Sequence, residues 1–524
     1  MLDEQIGQLI WAFISNMEDF ASAEQAARAG RISGIWLLPT QMHSPAETAE
    51  LVNRVQAAAK VPLLIGVDAE AGLGLVMGGA TYLPTAMALG AANDPDLVRA
   101  AAEVTAAEAR ACGINAVAAP VLDVNINPAN PIINTRSFGA SPELVGRLGT
   151  VFVDGLQAPV NGRQDVLAIG KHFPGHGDTV EDSHLKLAAV RQPRERLDAV
   201  ELPPFRDAIA ADAAMLMTSH VAYPALDPAP DQPATLSRPI LTDLLRNEMG
   251  YQGVVVTDCM NMYSIAHNFE PRESHVQAVA AGCDLLLTHV WDLAFDALKT
   301  AVREGTLAEE QIACAAQRVR KIKVQIFGES MSRPASLDLQ TVSAAVGSPE
   351  SAQVAKRIAT GSVTVVRGTL TSPGDRPLII ATRMARRFGP SVDSQLRTAL
   401  AAIGWENANV LMVDPTPDTS QVRKAVEQAR IAHWAALLHF NRVASFDPEA
   451  VSASDELADL AATVSAAGVA ITVASLGSPY VLPRFAAASA TLCTYSTCDA
   501  ALHAVLHVLR GDTRAPGTLP VELQ

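Results

Sequence analysis

The sequence predicts an α/β protein: a (β/α)8 barrel of the TIM type followed by a smaller doubly wound α/β sandwich domain. Three observations predict it. Eight short β-branched runs alternate with Ala/Leu/Arg-rich helical stretches over residues 1–325. Most of these runs are continuously apolar, which is how parallel strands covered by helices on both faces read. Beyond a proline- and serine-containing stretch the alternation resumes, with six further strand candidates reaching toward the C-terminus.

The barrel strands are expected at 9–15, 33–39, 62–68, 114–123, 166–172, 214–220, 253–258 and 283–289. Residues 4–12 fit a helix as well as they fit the first strand. Helices are expected between the strands, for example at 46–59, 96–112 and 238–249. Eight strand-then-helix units in this length match a barrel with loop insertions. Residues 327–353, FGESMSRPASLDLQTVSAAVGSPESAQ, lack a strong period and read as a linker with room for a docking helix. The expected domains are therefore a barrel over 1–328, a linker over 329–360 and an α/β sandwich over 361–524. In the last of these, strands are expected at 362–368, 376–382, 409–414, 435–440, 468–475 and 490–496, with helices between them such as 420–432.

Composition excludes several classes. The chain has 524 residues, 49 % hydrophobic and 18 % charged, which is incompatible with a mainly disordered protein. A formal net charge of -15 argues against a nucleic-acid partner, which needs a basic face. The N-terminus carries acids where a signal peptide needs bases, and no run of about 18 apolar residues occurs, so a cytoplasmic protein without a membrane partner is expected. The six cysteines, Cys112, Cys259, Cys283, Cys314, Cys493 and Cys498, show neither zinc-ligand nor disulfide-scaffold spacing and read as reduced, buried thiols. No cofactor is expected, and the sequence sets no oligomeric state.

The chemistry is concentrated at strand C-termini, the face where barrel enzymes build their sites. Strand three ends in Asp68, strand five in Lys171 and His172, strand six in His220, strand seven in Asp258 and strand eight in His289. Any one of them could be a hydrogen-bonded cap; as a set they are costly to bury unless they serve a site. The densest segment runs from Lys171 to His184, KHFPGHGDTVEDSH, a glycine-punctuated loop after a barrel strand. Two chemistries fit it. One is metal binding, although HExxH and other familiar ligand spacings are missing. The other is general acid/base catalysis, with Asp182 orienting the imidazole of His184.

This segment closely resembles the signature of family 3 glycoside hydrolases, in particular the β-N-acetylglucosaminidase branch. Other segments agree in chain order: APVLDVNINPANPIINTRSFGASPE at 119–143, MTSHVAYPALD at 217–227 and GVVVTDCMNM at 253–262. The resemblance covers residues 1–330, and the C-terminal part is similar to the second domain of two-domain members. It implies a retaining β-glycosidase that acts on N-acetylglucosamine-containing oligosaccharides or muropeptides. It implies Asp258 as nucleophile, His184 with Asp182 as acid/base, and Asp68, Arg136, Lys171 and His172 as sugar-binding residues, with His220 in a matching segment. After strand three the chain reads Asp68-Ala69-Glu70-Ala71-Gly72-Leu73, where the single-domain branch has Asp-Gln-Glu-Gly-Gly-Arg.

Alternatives stay open at this level. A histidine donor leaves that corner without a carboxylate, so phosphate could replace water as acceptor, and β-glucosides could replace N-acetyl-β-glucosaminides. A non-catalytic sugar- or nucleotide-binding protein has weak support from Gly72-Leu73-Gly74, which does not complete a GxGxxG. Trp291 and Trp405 read as packing residues, and Met260 and Met262 as either core or pocket lining. Arg383, Arg386 and Arg387 read as a solvated helix face, and Arg320, Lys321 and Lys323 as the last turn of a barrel helix near its negative end.

Overall fold

The computed structural model describes every residue except Met1, Asp375 and Gln524. The chain forms two compact units. The first comprises 1–81, 98–130 and 141–351; the second comprises 82–97, 131–140 and 352–524. The second unit thus takes up two excursions from the N-terminal part of the chain as well as the C-terminal part.

The first unit is a parallel barrel. Its strands are β1 (Ile10–Phe13), β2 (Gly34–Trp36), β3 (Leu64–Val67), β4 (Ala116–Val117), β5 (Leu167–Phe173), β6 (Met215–Thr218), β7 (Val254–Val256) and β8 (Leu286–Thr288). They pair in the order β8-β1-β2-β3-β4-β5-β6-β7, and a parallel bridge between Val256 and Leu285 links the two ends of the row. The alternative readings of residues 4–12 are both realised in part: Leu2–Gln8 is helix and β1 begins at Ile10. The expected fourth strand keeps only two residues of ladder. Pro120 lacks the N–H that would continue it, and the chain runs on irregularly to Asp123.

The barrel interior is filled by side chains such as Trp11, Trp36, Leu64, Leu167 and Met215. The Trp11 and Trp36 rings meet edge-on, with centroids 5.1 Å apart. The helix Glu309–Phe327 adds Val319, Ile322 and Ile326 to this core. Its Lys323, read as a charge complementing the helix end, is instead inside the core. The residue is fully buried, and its Nζ donates to Gln8 Oε1 at 2.9 Å. Cys314 corrects the cysteine reading in the opposite sense, because it is exposed. Trp291 is buried, as a packing residue should be.

The expected linker is largely helical, with helices Leu339–Ala345 and Pro349–Ser362. The second unit is built on a six-stranded sheet. Its strands are β9 (Thr364–Gly368), β10 (Leu378–Thr382), β11 (Asn409–Val413), β12 (Trp434–Phe440), β13 (Ala470–Leu476) and β14 (Ala490–Cys493). They pair in the order β9-β14-β13-β12-β10-β11, all parallel except β9, which runs antiparallel to β14. Trp405 is buried in one of the two cores that flank this sheet. Arg383, Arg386 and Arg387 are not on a helix: they lie in the loop between β10 and the helix Val392–Ala402. Among the described residues, no helix is long and apolar enough to cross a membrane.

Candidate active site

β5 carries the first pair of site residues. Its pairing with β6 shifts register between Lys171 and Phe173, so His172 is an extra residue in the ladder. Such irregularities re-aim side chains at the rims of barrels. Lys171 is 2 % exposed, and its ammonium lies 2.7 Å from Asp68 Oδ1 and 2.5 Å from Glu70 Oε1. The two acids of the loop after β3 therefore neutralise a buried cation, which would otherwise be strongly disfavoured. Asp68 itself remains 44 % exposed at its side chain and is accessible to a ligand.

His172 is anchored by a residue that the sequence reading passed over. Asp123, fully buried, accepts from His172 Nδ1 at 2.7 Å. The same carboxylate accepts the main-chain N–H groups of His172 and His176, at 3.2 and 2.6 Å. Burial alone would raise the pKa of Asp123, but the His172 imidazole and the His176 contacts outweigh it and hold the carboxyl below its ordinary value. A signal was present, since an aspartate ended the apolar run 114–123.

The loop after β5 is closed by its own polar groups. His176 Nδ1 lies 2.8 Å from Thr179 Oγ1, and its Nε2 lies 3.0 Å from Ser183 Oγ. Asn130 donates to the carbonyl of His176 at 2.9 Å. Gly177 lets the loop lie against the chain at Val124, for a Cβ there would stand 1.8 Å from the Val124 carbonyl oxygen. This clamp fixes Asp182 and His184. Asp182 is buried and its Oδ1 accepts both His184 Nδ1, at 2.7 Å, and the His184 main-chain N–H, at 2.8 Å. The carboxylate thus sets the tautomer with the proton on Nδ1 and assigns proton exchange to Nε2.

Asp258 follows β7 and is partly exposed. Burial opposes its ionisation, but the His220, His172 and His184 imidazoles, together with the Cys259 N–H, outweigh this and hold its pKa below the ordinary carboxylate value. The structure thus brings Asp258, His184 and His172 within electrostatic reach of one another. His220 is placed differently from a substrate contact. It is 1 % exposed, with Nδ1 at 2.7 Å from Thr235 Oγ1 and Nε2 at 3.0 Å from the Cys259 carbonyl. Burial pushes its pKa down, and because the partner of Nε2 is a carbonyl, the ring donates from Nε2 and holds the peptide beside Asp258. His289, after β8, is tied to Ser15 Oγ at 2.9 Å.

Arg136 lies on the short turn Asn134–Arg136, in the excursion 131–140 that belongs to the second unit, and donates to the Ile132 carbonyl at 2.8 Å. Met260 and Met262 are buried. Among the described residues no group of three or more His, Cys, Asp or Glu is arranged to hold a metal ion. The arrangement around Asp258 combines an ionised carboxylate with a carboxylate-oriented imidazole, the equipment for nucleophilic displacement with proton transfer.

The chain is similar to several known proteins. The model of the glycosyl hydrolase family 3 N-terminal domain matches residues 1–322. The solved structure of a glycoside hydrolase family 3 β-N-acetylglucosaminidase from Paenibacillus sp. str. FPU-7 is similar with a TM-score of 0.89 and 34 % identity, covering 100 % of this chain and 99 % of that one. A β-N-acetylglucosaminidase/β-glucosidase of Cellulomonas fimi is 32 % identical over 385 residues, which is 72 % of this chain and 66 % of the relative. β-Hexosaminidase A of Pseudoalteromonas piscicida is 33 % identical over 366 residues, 64 % of this chain and 59 % of the relative. The match spans less than two thirds of the length of these last two proteins.

Proposed function

Because the chain belongs to glycosyl hydrolase family 3, we propose that it is a retaining β-N-acetylglucosaminidase that releases terminal N-acetyl-β-D-glucosamine from oligosaccharides or muropeptides. The observation that carries this reading is the His184–Asp182 pair, with Nδ1 and Oδ1 2.7 Å apart, in electrostatic reach of the ionised Asp258. In the first step a carboxylate oxygen of Asp258 attacks the anomeric carbon, the glycosidic bond breaks, and the doubly protonated His184 ring gives its Nε2 proton to the departing oxygen. In the second step His184 Nε2 takes a proton from water, the water oxygen attacks the anomeric carbon, and the Asp258 ester bond breaks. Lys171, Asp68 and His172 hold the sugar in this proposal, and His220 positions the Asp258 loop. An imidazole gives a proton in the first step and takes one in the second.

The test is turnover of an aryl N-acetyl-β-glucosaminide by wild type and Asp258→Ala. Undiminished turnover in the variant overturns the nucleophile assignment. Wild-type inactivity on this substrate with cleavage of an aryl β-glucoside moves the substrate to glucosides. Repeating the assay in saturating phosphate distinguishes the acceptor, since a sugar phosphate as product makes the enzyme a phosphorylase and free sugar alone makes it a hydrolase.

A further inference from the structure

The second unit leaves two arginines without a counter-ion where its strand order reverses. From β10 the chain steps outward to β11 at the sheet edge, then returns across β10 to β12 and continues to β13 and β14. The helices that follow β10 and β12 pack on opposite faces. Ile379 and Ala381 of β10 share a core with Leu396 of the helix Val392–Ala402, whereas Leu378 and Ile380 share the other with Leu457 and Leu460 of the helix Asp455–Ala466. In open parallel sheets the crevice beyond the carboxyl ends of such a strand pair is where ligands enter.

Four arginines stand at these carboxyl ends: Arg383, Arg386 and Arg387 after β10, and Arg442 after β12. Two are neutralised locally. Arg383 pairs with Asp414 and Arg386 with Asp499, each at 3.0 Å. Among the described residues Arg387 and Arg442 have no carboxylate partner. Arg387 is exposed and Arg442 partly so; partial burial, and then the Arg442 charge, lower the Arg387 pKa, so the two guanidinium groups stand within electrostatic reach. The half-buried Tyr82 stands within reach of Arg386, Arg387 and Arg442. Like charges at close quarters are unfavourable unless something negative stands between them.

We propose that the carboxyl ends of β10 and β12 form an oxyanion-binding site, in which Arg387 and Arg442 clamp a phosphate or carboxylate group of a small ligand. Planar guanidinium groups match both anions with paired hydrogen bonds. The site is independent of the chemistry assigned to the barrel.

Isothermal titration of the full chain with inorganic phosphate, and separately with glucuronate, at constant ionic strength tests it. Wild type is expected to bind at least one of them saturably. The double variant Arg387→Gln/Arg442→Gln is expected to lose at least about tenfold in affinity, with an unchanged far-ultraviolet circular dichroism spectrum. Arg383→Gln, which removes an arginine already paired with Asp414, is expected to bind as wild type does. Phosphate binding alone identifies a phosphate ligand, and glucuronate binding alone a carboxylate. No binding of either anion to wild type, or equal binding by wild type and the double variant, overturns the proposal.

Discussion

Asp123 Oδ2 lies 2.7 Å from His172 Nδ1, and the other oxygen of the same carboxylate accepts the main-chain N–H of His176. One buried side chain therefore orients a sugar-binding candidate and fixes the first turn of the acid/base loop. Removing it strands a buried imidazole and two main-chain donors. Asp123→Ala is expected to lower folding stability by ~3–5 kcal/mol, read from urea unfolding. Asp123→Asn, which preserves volume but not charge, is expected to cost less stability and to raise KM. Unchanged unfolding midpoints and KM in both variants would show that the contact has neither role.

This carboxylate also marks the limit of what the sequence discloses. The barrel was legible because buried parallel strands leave continuous apolar runs, and the polar residues ending them stand out against that background. Asp68, Lys171, His172 and Asp258 stood out in this way, and His184 through the dense polar loop that follows strand five. Asp123 ended the run 114–123 in the same way and was passed over; Pro120 interrupts that strand, so nothing in the sequence showed that the carboxylate turns to His172 and His176. His220 was legible as a polar strand end but not as a support, because its partner, the Cys259 carbonyl, is a main-chain atom with no signature in sequence. Lys323 escaped for a related reason. A basic residue near a helix C-terminus has a ready explanation in the helix dipole, and periodicity alone does not show that a second helix covers it.

The geometry of the acid/base pair sets the next expectation. Asp182 accepts both the ring and the main-chain N–H of His184, so it holds the loop as well as the tautomer. His184→Ala is expected to lower kcat on an unactivated aryl N-acetyl-β-glucosaminide by about 10²–10⁴-fold. The loss should shrink with a strongly activated leaving group, such as dinitrophenolate, which needs no proton. Asp182→Asn should follow the same trend with a smaller loss. A loss that is equal for good and poor leaving groups would assign His184 to binding instead of proton transfer.

A third expectation concerns acid pH. Asp258 acts as an ionised nucleophile, and its pKa is held below the ordinary value against the opposing effect of burial. The active form is therefore lost only as pH falls through that lowered value, below about 3.9. Linkage has the same sign: a depressed carboxylate pKa contributes stability that is present above the unfolded value and lost as pH falls through the folded one. The acid limb of kcat/KM, measured at temperatures where the fold is intact, should lie below pH ~4. A midpoint at pH ~5 or above would contradict the electrostatic role given to the imidazoles.

The last expectation follows from Lys323, which burial alone pushes down to about 7. Its hydrogen-bond acceptor, Gln8 Oε1 at 2.9 Å, is neutral, and among the described residues no carboxylate pairs with it to offset the loss of hydration. In the unfolded chain a lysine binds its proton up to about pH 10.4, so between about 7 and 10 the unfolded state holds more protons than the folded one. Stability attributable to this residue must then rise with pH across that window, and the burden is greatest below about 7. The gap between the two values corresponds to ~5 kcal/mol as an upper bound. Lys323→Met replaces the ammonium by an apolar group of similar length and leaves Gln8, itself partly exposed, to water. The variant is expected to be more stable than wild type by ~1–3 kcal/mol at pH 7, with the advantage shrinking toward pH 10. Urea unfolding of both proteins at pH 6, 7, 8.5 and 10 measures it. A variant less stable than wild type at every pH would mean that the ammonium makes a favourable interaction in the core, and a constant difference would mean that its protonation is not what burial penalises.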